Sequence, residues 1–368
     1  MLKRAICIVN PFEHGGGAEY QISLLIDELT ASGYEVHYLA HFLDARSPVR
    51  NYRAVKIGSG DSPPKMGYIM DAPSLYRTLS GIGPTAIYQR VACAYTGVCA
   101  AYSRRRAIPL IWHAAHDAEV SGQTLDAARN RVRVWLERRT TAYGIRHATR
   151  IVVQTRHQAA LLHETFGRSA DAVIGNFHPP AAEDADKRGP TTVLWIANLK
   201  PWKRPEVFVR LARALEDCRD VRFLMVGAPA PASGNEGWQN ELMRNIGAAA
   251  NLRFLGHRTQ DEVNALLARS HLFVNTSTQE GFPNTFIQSW LRDVAVVSLQ
   301  VDPDGVLARE RVGIAAGTEQ KLIAAVRALI EDPAERAALA ARGREHALRH
   351  HSLRNAGELM RVIDPAGG

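Results

Sequence analysis

Cysteine is scarce and unpatterned in this sequence. Cys7, Cys93, Cys99 and Cys218 form no Cys-x-x-Cys pair and no His/Cys cluster. That argues against a disulfide framework or a zinc site and points to a reducing compartment. Long apolar runs are also missing. No window approaches the roughly 18 uninterrupted apolar residues of a membrane span. The N-terminal "MLKRAICIVNPF" holds one short apolar run before Asn-Pro and is expected to be a first strand, not a leader. There is no Gly-x-Gly-x-x-Gly, so the dinucleotide fingerprint is absent. No Gly-Lys-Ser/Thr follows the one glycine run, so there is no P-loop. No short repeat or low-complexity tract is evident.

The chain's 368 residues suffice for about two domains, each able to bury a core without staples. Its formal charge of +8 allows an anionic partner: nucleic acid, anionic lipid or a phosphorylated substrate. The basic residues gather in "YSRRRAIP" (102–109) and along "ARNRVRVWLERRTTAYGIRHATR" (128–150). In the second stretch they mostly fill the outer face of a helix, the pattern of a solvated face. A membrane- or acceptor-facing surface is the alternative. Nucleic acid is not expected, because no aromatic-rich reading motif accompanies the charge.

Short β-branched runs alternate with helical patterns. "RAICIV" (4–9) precedes a helix over 17–32 with Ala18, Ile22, Leu25 and Leu29 on one face. "YEVHYLA", "TAIYQRV", "PLIWHAA" and "RIVVQT" follow as strands. The Pro-, Ala- and charge-rich "NFHPPAAEDADKRGP" (176–190) breaks the alternation and reads as a linker. A second series restarts with "TTVLWIA", "VRFLMVG", "NLRFLG", "HLFVNT" and "VAVVSL", followed by a helical tail punctuated at Asp332-Pro333. Such alternation implies right-handed βαβ units in a mostly parallel sheet. The expected organisation is an N-terminal Rossmann-like domain over 1–178, a linker over 179–190 and a C-terminal Rossmann-like domain over 191–348. A C-terminal helix over 349–368 is expected to return to the first domain.

In doubly wound sheets ligands sit at the carboxyl ends of strands, so four loops are the candidates for chemistry. "NPFEHGGGAEYQ" (10–21) places Gly15, Gly16 and Gly17 ahead of a helix start, where backbone approaches an anion closely. "PLIWHAAHDAEV" (109–120) places His113 and His116 near a strand end, with Asp117 following. "ANLKPWKRPEVF" (197–208) gathers Lys200, Lys203 and Arg204 before a helix N-terminus. Cations there oppose the helix dipole unless an anion joins them. "QEGFPNTFIQSW" (279–290) sets Glu280 before a helix starting near Pro283 or Asn284, with the N–H groups of Asn284, Thr285 and Phe286 available to a phosphate or sugar hydroxyl.

Taken together, "EGFPNTFIQSW" with "DPDGV" downstream, "ANLKPWKRPE" and "NPFEHGGGAEYQ" resemble the retaining glycosyltransferases of family four, over essentially the whole chain. The resemblance implies the α/β GT-B fold, two Rossmann-like domains facing a central cleft. It implies a hexosyltransferase of polysaccharide or glycan biosynthesis that needs no metal and no cofactor. The substrates it implies are a nucleotide-sugar donor, UDP- or GDP-linked, and a glycan or lipid-linked acceptor. It assigns catalysis to Glu280, Lys203 and His116, with His113 as the alternative histidine. It assigns donor binding to Gly15, Gly16, Gly17, Asn198, Lys200, Leu255, Gly281, Phe282, Pro283, Asn284, Thr285 and Gln288. Two places depart from the family: Asn198 stands for an Arg on the diphosphate, and Gln288 for the second acid of Glu-x7-Glu, which holds the ribose.

Those departures keep a rival open, a catalytically degenerate sugar-nucleotide-binding protein of the same fold. An NAD-dependent oxidoreductase lacks its fingerprint here, and an epimerase or phosphorylase is disfavoured by Glu-Gly-Phe-Pro-Asn. The expected location is cytoplasmic, with a peripheral hold on the inner membrane face.

Overall fold

A computed structural model describes residues 4–43, 50–60, 64, 66–122, 131–181, 187–228 and 236–365. The chain divides into two compact units, Met1–Phe177 with Leu353–Gly368, and His178–Ser352.

The first unit is a seven-stranded parallel sheet: β1 (Ala5–Val9), β2 (Glu35–Ala40), β3 (Arg53–Lys56), β4 (Ala86–Arg90), β5 (Leu110–His113), β6 (Arg150–Val153) and β7 (Ala172–Val173), in the order β3-β2-β1-β4-β5-β6-β7. Its helices are α1 (Gly17–Ala31), α2 (Ala72–Ile82), α3 (Ala94–Arg106), α4 (Asp117–Val120), α5 (Arg131–His147) and α6 (Arg156–Phe166). Successive strand residues point to opposite faces. Cys7 and Val9 join the core under α2, α3 and α5, while Ile6 and Ile8 join the core under α1. Both faces are covered, which is why these strands read as nearly continuous apolar runs. The cores of α3 and α5 meet at two glycines. A Cβ on Gly97 would lie 2.3 Å from the carbonyl oxygen of Thr140, and one on Gly144 would lie 2.4 Å from the carbonyl carbon of Thr96.

The second unit is a six-stranded parallel sheet: β8 (Thr191–Ile196), β9 (Val221–Val226), β10 (Leu252–Phe254), β11 (Leu272–Asn275), β12 (Ala295–Ser298) and β13 (Ile314–Ala315), in the order β10-β9-β8-β11-β12-β13. Its helices are α7 (Pro205–Ala214), α8 (Glu236–Gly247), α9 (Gln260–Ala268), α10 (Asn284–Trp290), α11 (Val306–Arg309), α12 (Glu319–Glu331) and α13 (Pro333–His350). Val207, Phe208 and Leu211 of α7 cover one face with Leu322 and Val326 of α12. Phe286, Ile287 and Trp290 of α10 cover the other. Asp332 caps α13 by accepting from the N–H groups of Ala334 and Glu335 at 3.0 and 2.9 Å, with Pro333 in the first turn. The last helix, α14 (Arg354–Ile363), packs Leu359 and Ile363 into the core of the first unit.

Every strand run expected from sequence is present. Three strands were not anticipated, β3, β7 and β13, and all three lie at sheet edges. β7 and β13 have two residues each, and β3 is a four-residue Arg-Ala-Val-Lys with exposed ends. Such edges carry too little apolar pattern to announce themselves. Part of the expected linker, residues 182–186, lies outside the described residues, as do Arg129 of the basic stretch and residues 366–368. Among the described residues no helix is long and apolar enough to cross a membrane.

Candidate active site

Strand order reverses direction between β8 and β11 in the second unit, so the loops after these two strands diverge from one switch point. They carry Lys203 and Glu280. The ammonium of Lys203 donates to Oε1 of Glu280, and the hydroxyl of Ser277 donates to the same oxygen at 2.7 Å. The pair is mostly shielded, with side chains 19% and 13% exposed. Backbone stitching holds the two loops in register. The indole N–H of Trp195, on β8, donates to the hydroxyl of Thr276 at 2.8 Å, and that hydroxyl donates to the carbonyl of Lys203 at 2.6 Å. The N–H of Thr278 reaches the carbonyl of Trp202 at 2.9 Å. The Lys200 ammonium sits 4.9 Å from the centre of the Trp202 ring, a cation–π contact in the same turn. Asn198 is half-buried just past the end of β8.

Arg204 does not join this cluster. It occupies the left-handed region at φ 48°, caps α7, and donates to Oε1 of Glu319 at 2.7 Å. The sequence suggested a cation awaiting an anion. The protein already supplies one, from α12.

The loop after β11 turns into α10 through a buried anchor. Gly281, Phe282 and Pro283 are buried. The Phe282 ring lies 4.3 Å from the ring of His351 and 6.2 Å from that of Trp290. Asn284 accepts at Oδ1 from Nε2 of His178 at 3.2 Å, while the His178 N–H donates to the carbonyl of His351 at 2.9 Å. Burial pushes the His178 imidazole down to about 3, so it is the neutral ring that donates to Asn284. The expectation that the Phe286 N–H is available does not hold, because it donates to the carbonyl of Pro283 at 3.1 Å as the helix closes its first turn. Thr285 is half-buried beside Asn284. Gln288 is buried, and its amide nitrogen donates to Oε1 of Gln260 and Oδ1 of Asn264, both at 3.0 Å, on α9. Leu255, after β10, commits its N–H to the carbonyl of Met225 at 2.9 Å.

In the first unit the reversal lies between β1 and β4. The glycine run follows β1: Gly15 takes φ +133°, open to glycine, and Gly16 caps α1, whose first helical residue is Gly17. Asn10, at the end of β1, is buried and donates from Nδ2 to Oε1 of Glu19 at 2.9 Å, tying the strand end to the first turn of α1. After β4, Val91 is held at φ 72°, a costly place for a β-branched residue.

The two candidate histidines differ in setting. His113 is enclosed within the sheet, its Nδ1 2.9 Å from the Tyr88 hydroxyl and 3.3 Å from the Arg90 guanidinium. Burial and that cation hold it well below the usual imidazole range. His116 is half-buried and caps α4, its Nδ1 accepting from the Ala118 N–H at 3.1 Å. That bond places the ring proton of neutral His116 on Nε2. Asp117, the residue after His116, accepts at Oδ1 from the Gln158 amide at 3.0 Å. Glu119 was not singled out from sequence. Burial pushes its carboxyl up to about 7, and it accepts from the Ala115 N–H at 2.9 Å. His178 and the Thr276–Ser277 pair were also unanticipated. His178 sat in what read as linker, while the Ser/Thr run of "NTSTQEG" marked a loop without naming which hydroxyl would matter.

Comparison with known proteins bears on the family and the fold. Residues 16–177 match the family model "Glycosyl transferase 4-like domain", and residues 190–332 match "Glycosyl transferases group 1". Among curated relatives, the D-inositol 3-phosphate glycosyltransferase of Rhodococcus opacus is 27% identical over 164 residues, 43% of this chain and 37% of that protein. The lipopolysaccharide core biosynthesis glycosyltransferase LpsD of Rhizobium meliloti is 27% identical over 204 residues, 53% of this chain and 57% of that protein. The matches thus span 37% and 57% of these relatives' own lengths. Among solved structures, Anabaena Alr3699/HepE in complex with UDP and glucose superposes with a TM-score of 0.77 at 18% identity, covering 98% of this chain and 99% of that one. With one glycosyltransferase domain model matched in each unit and a GT-B structure followed along nearly its whole length, the chain belongs to the glycosyltransferases of GT-B fold.

Proposed function

We propose that this protein is a retaining, metal-independent hexosyltransferase of cell-surface polysaccharide biosynthesis. It moves a sugar from a UDP- or GDP-linked donor to a glycan or lipid-linked acceptor, with no cofactor beyond the donor itself. The observation that carries the reading is the Lys203–Glu280 pair at the switch point of the second sheet. A cation and an acid held together there match the two charges that develop when a glycosyl diphosphate ionises. The curated relative from Rhizobium meliloti, by its name, works in lipopolysaccharide core biosynthesis, and the Anabaena structure contains UDP and glucose. Both support the substrate classes.

In this mechanism the bond between the anomeric carbon and the diphosphate oxygen breaks first. Lys203 and Lys200 stabilise the charge growing on the diphosphate. Glu280 orients a donor hydroxyl and steadies positive charge at the sugar. The acceptor hydroxyl attacks from the face the diphosphate leaves, and its proton passes to a diphosphate oxygen, so configuration is kept. The Nε2–H of His116 donates to a sugar hydroxyl on the acceptor side. Gln288 pairs with the ribose diol through its side-chain oxygen, its amide nitrogen being held by Gln260 and Asn264. The departures at Asn198 and Gln288, with the Gln288 amide engaged by Gln260 and Asn264, favour the second reading, a sugar-nucleotide-binding protein without turnover.

A thermal-shift panel of UDP-, GDP- and ADP-sugars, followed by NMR of the product's anomeric configuration, tests the proposal. A donor that binds the native state raises apparent stability by RT ln(1 + [L]/Kd). Inverted product, or no shift with any nucleotide sugar, overturns it. Binding without turnover selects the second reading.

A further inference from the structure

Sharing no residue with the candidate active site, the end of α13 and the residue following α11 bring Glu310, His346 and His350 together. One ligand atom from each lies within 4.8 Å of the others. His346 and His350 are four residues apart on α13, so their rings leave the same face one turn apart, with centroids 4.7 Å from each other. Nδ1 of His346 is 2.7 Å from Oε2 of Glu310. The other carboxylate oxygen of Glu310 accepts from Arg309 at 3.1 Å, which leaves Oε2 directed to the histidines. His346 is buried, whereas Glu310 and His350 are exposed. The group is therefore anchored at one corner and open to water at the others.

We propose that Glu310, His346 and His350 form a binding site for a divalent transition-metal ion of the zinc class, separate from the transfer chemistry and linking α13 to the segment after α11. Two imidazoles and one carboxylate are the donor set that zinc, nickel and copper prefer. Magnesium and calcium seek oxygen ligands. Zinc bonds of about 2.0–2.2 Å to N and O set neighbouring donors roughly 3–3.5 Å apart. The donor atoms here lie within 4.8 Å of one another, with Glu310 Oε2 and His346 Nδ1 2.7 Å apart and the buried ring as the fixed corner. Water completes the coordination. The cysteine pattern gave no hint of this site, because none of its ligands is a cysteine. The sequence signal was His-x3-His, and its third ligand lies 36 residues away.

The site also has a built-in reporter. The His346 ring packs 5.3 Å from that of Trp290, whose indole N–H is fixed on the Val312 carbonyl at 2.9 Å. The test uses the full, tag-free chain, stripped with EDTA and dialysed. Calorimetric titration with zinc chloride is expected to show saturable binding of a single ion. His350→Ala and Glu310→Ala, both at exposed positions, should each weaken it at least about tenfold, while His163→Ala on α6 leaves it unchanged. Titration with copper(II) should quench part of the tryptophan fluorescence in the native chain and not in the His350→Ala variant. Absence of saturable zinc binding, or equal affinity in the His350→Ala and Glu310→Ala variants, overturns the proposal. Melting temperatures of the metal-free variants are read alongside, so that a folding defect is not mistaken for a lost ligand.

Discussion

The ammonium of Lys203 is bonded to the carboxylate of Glu280, although the two residues stand 77 positions apart and on different loops. The pair gives the two variants different signatures. Lys203→Ala removes stabilisation of the leaving diphosphate. Its transfer rate should fall by about 10²-fold, on the order of 3 kcal/mol, and its nucleotide affinity should fall with it. Glu280→Ala should lose a similar share of transfer yet bind nucleoside diphosphate as well as before or better, since the lysine is released from its internal partner. Both residues lie in loops, so the fold should survive. Initial rates and UDP or GDP titrations separate the two effects. Near-normal turnover in either variant contradicts the assignment.

Gln288→Glu is expected to leave an active enzyme. The new carboxylate would face Oε1 of Gln260 and Oδ1 of Asn264, both now acceptors at 3.0 Å from the Gln288 amide. Rotation of those two amides presents their NH2 groups instead, so no acceptor need be left opposing another. The charge added near the diphosphate and the second acceptor offered to the ribose oppose one another at about 1 kcal/mol each, so KM should move less than roughly tenfold. Collapse of activity in this variant would place Gln288 in packing alone. Gln260→Ala with Gln288→Glu provides the check.

The sheets were legible because their strands are apolar on both faces, and Ile6, Cys7, Ile8 and Val9 announce a buried parallel strand without ambiguity. Loop positions followed, since chemistry at strand ends needs only the strands to be found. What the sequence did not carry was pairing at long range. Arg204 looked like a cation in want of an anion because its partner, Glu319, is 115 residues away. His178 looked like linker because its bond to Asn284 spans 106 residues. The edge strands were silent for a different reason: two to four residues cannot show a period.

His178 gives the second unit an acid-sensitive element. Its folded pKa lies at about 3, below the ordinary imidazole value. Between pH 6.5 and 3 the unfolded state therefore binds more protons than the native state, and stability rises with pH across that window. The stability is fully present above 6.5 and is lost as pH falls, by up to ~1.4 kcal/mol per pH unit. Glu119, raised to about 7 in the first unit, acts in the opposite sense between about 4.5 and 7, so wild type must be compared with variants. Urea melts at pH 4.5 and 7 should show a smaller acid loss in His178→Gln than in wild type. An equal loss would mean that His178 is already charged in the folded protein.

Transfer should not depend on a divalent ion at the reacting atoms. Lys203 and Lys200 supply positive charge to the diphosphate, so initial rates with EDTA should equal those without it within error, even as the Glu310–His346–His350 group is stripped. A requirement for magnesium or manganese would move the protein to a different transferase class.

The first unit is expected to bind anionic membranes through α5 and the end of α3. Val132 and Trp135 are 59% and 54% exposed on α5, an apolar pair that water does not favour. The guanidinium of Arg139 sits 5.0 Å from the Trp135 ring centre. Arg104, in the last turn of α3 with Arg105 and Arg106, donates to the hydroxyl of Tyr143 on α5 at 3.3 Å, so the two basic stretches form one surface. Each arginine near an anionic leaflet contributes about 1 kcal/mol, and salt weakens it. An indole at the interface adds an apolar contact that salt does not screen. Co-sedimentation with phosphatidylserine vesicles should therefore be strong at low ionic strength, fade at high, and fall further in Trp135→Ser. Arg138→Glu together with Arg139→Glu should abolish it while leaving transfer to a soluble acceptor analogue intact. A wild-type protein that ignores anionic vesicles at low salt would show the arginine face to be merely solvated, and a soluble glycan would then be the better acceptor class.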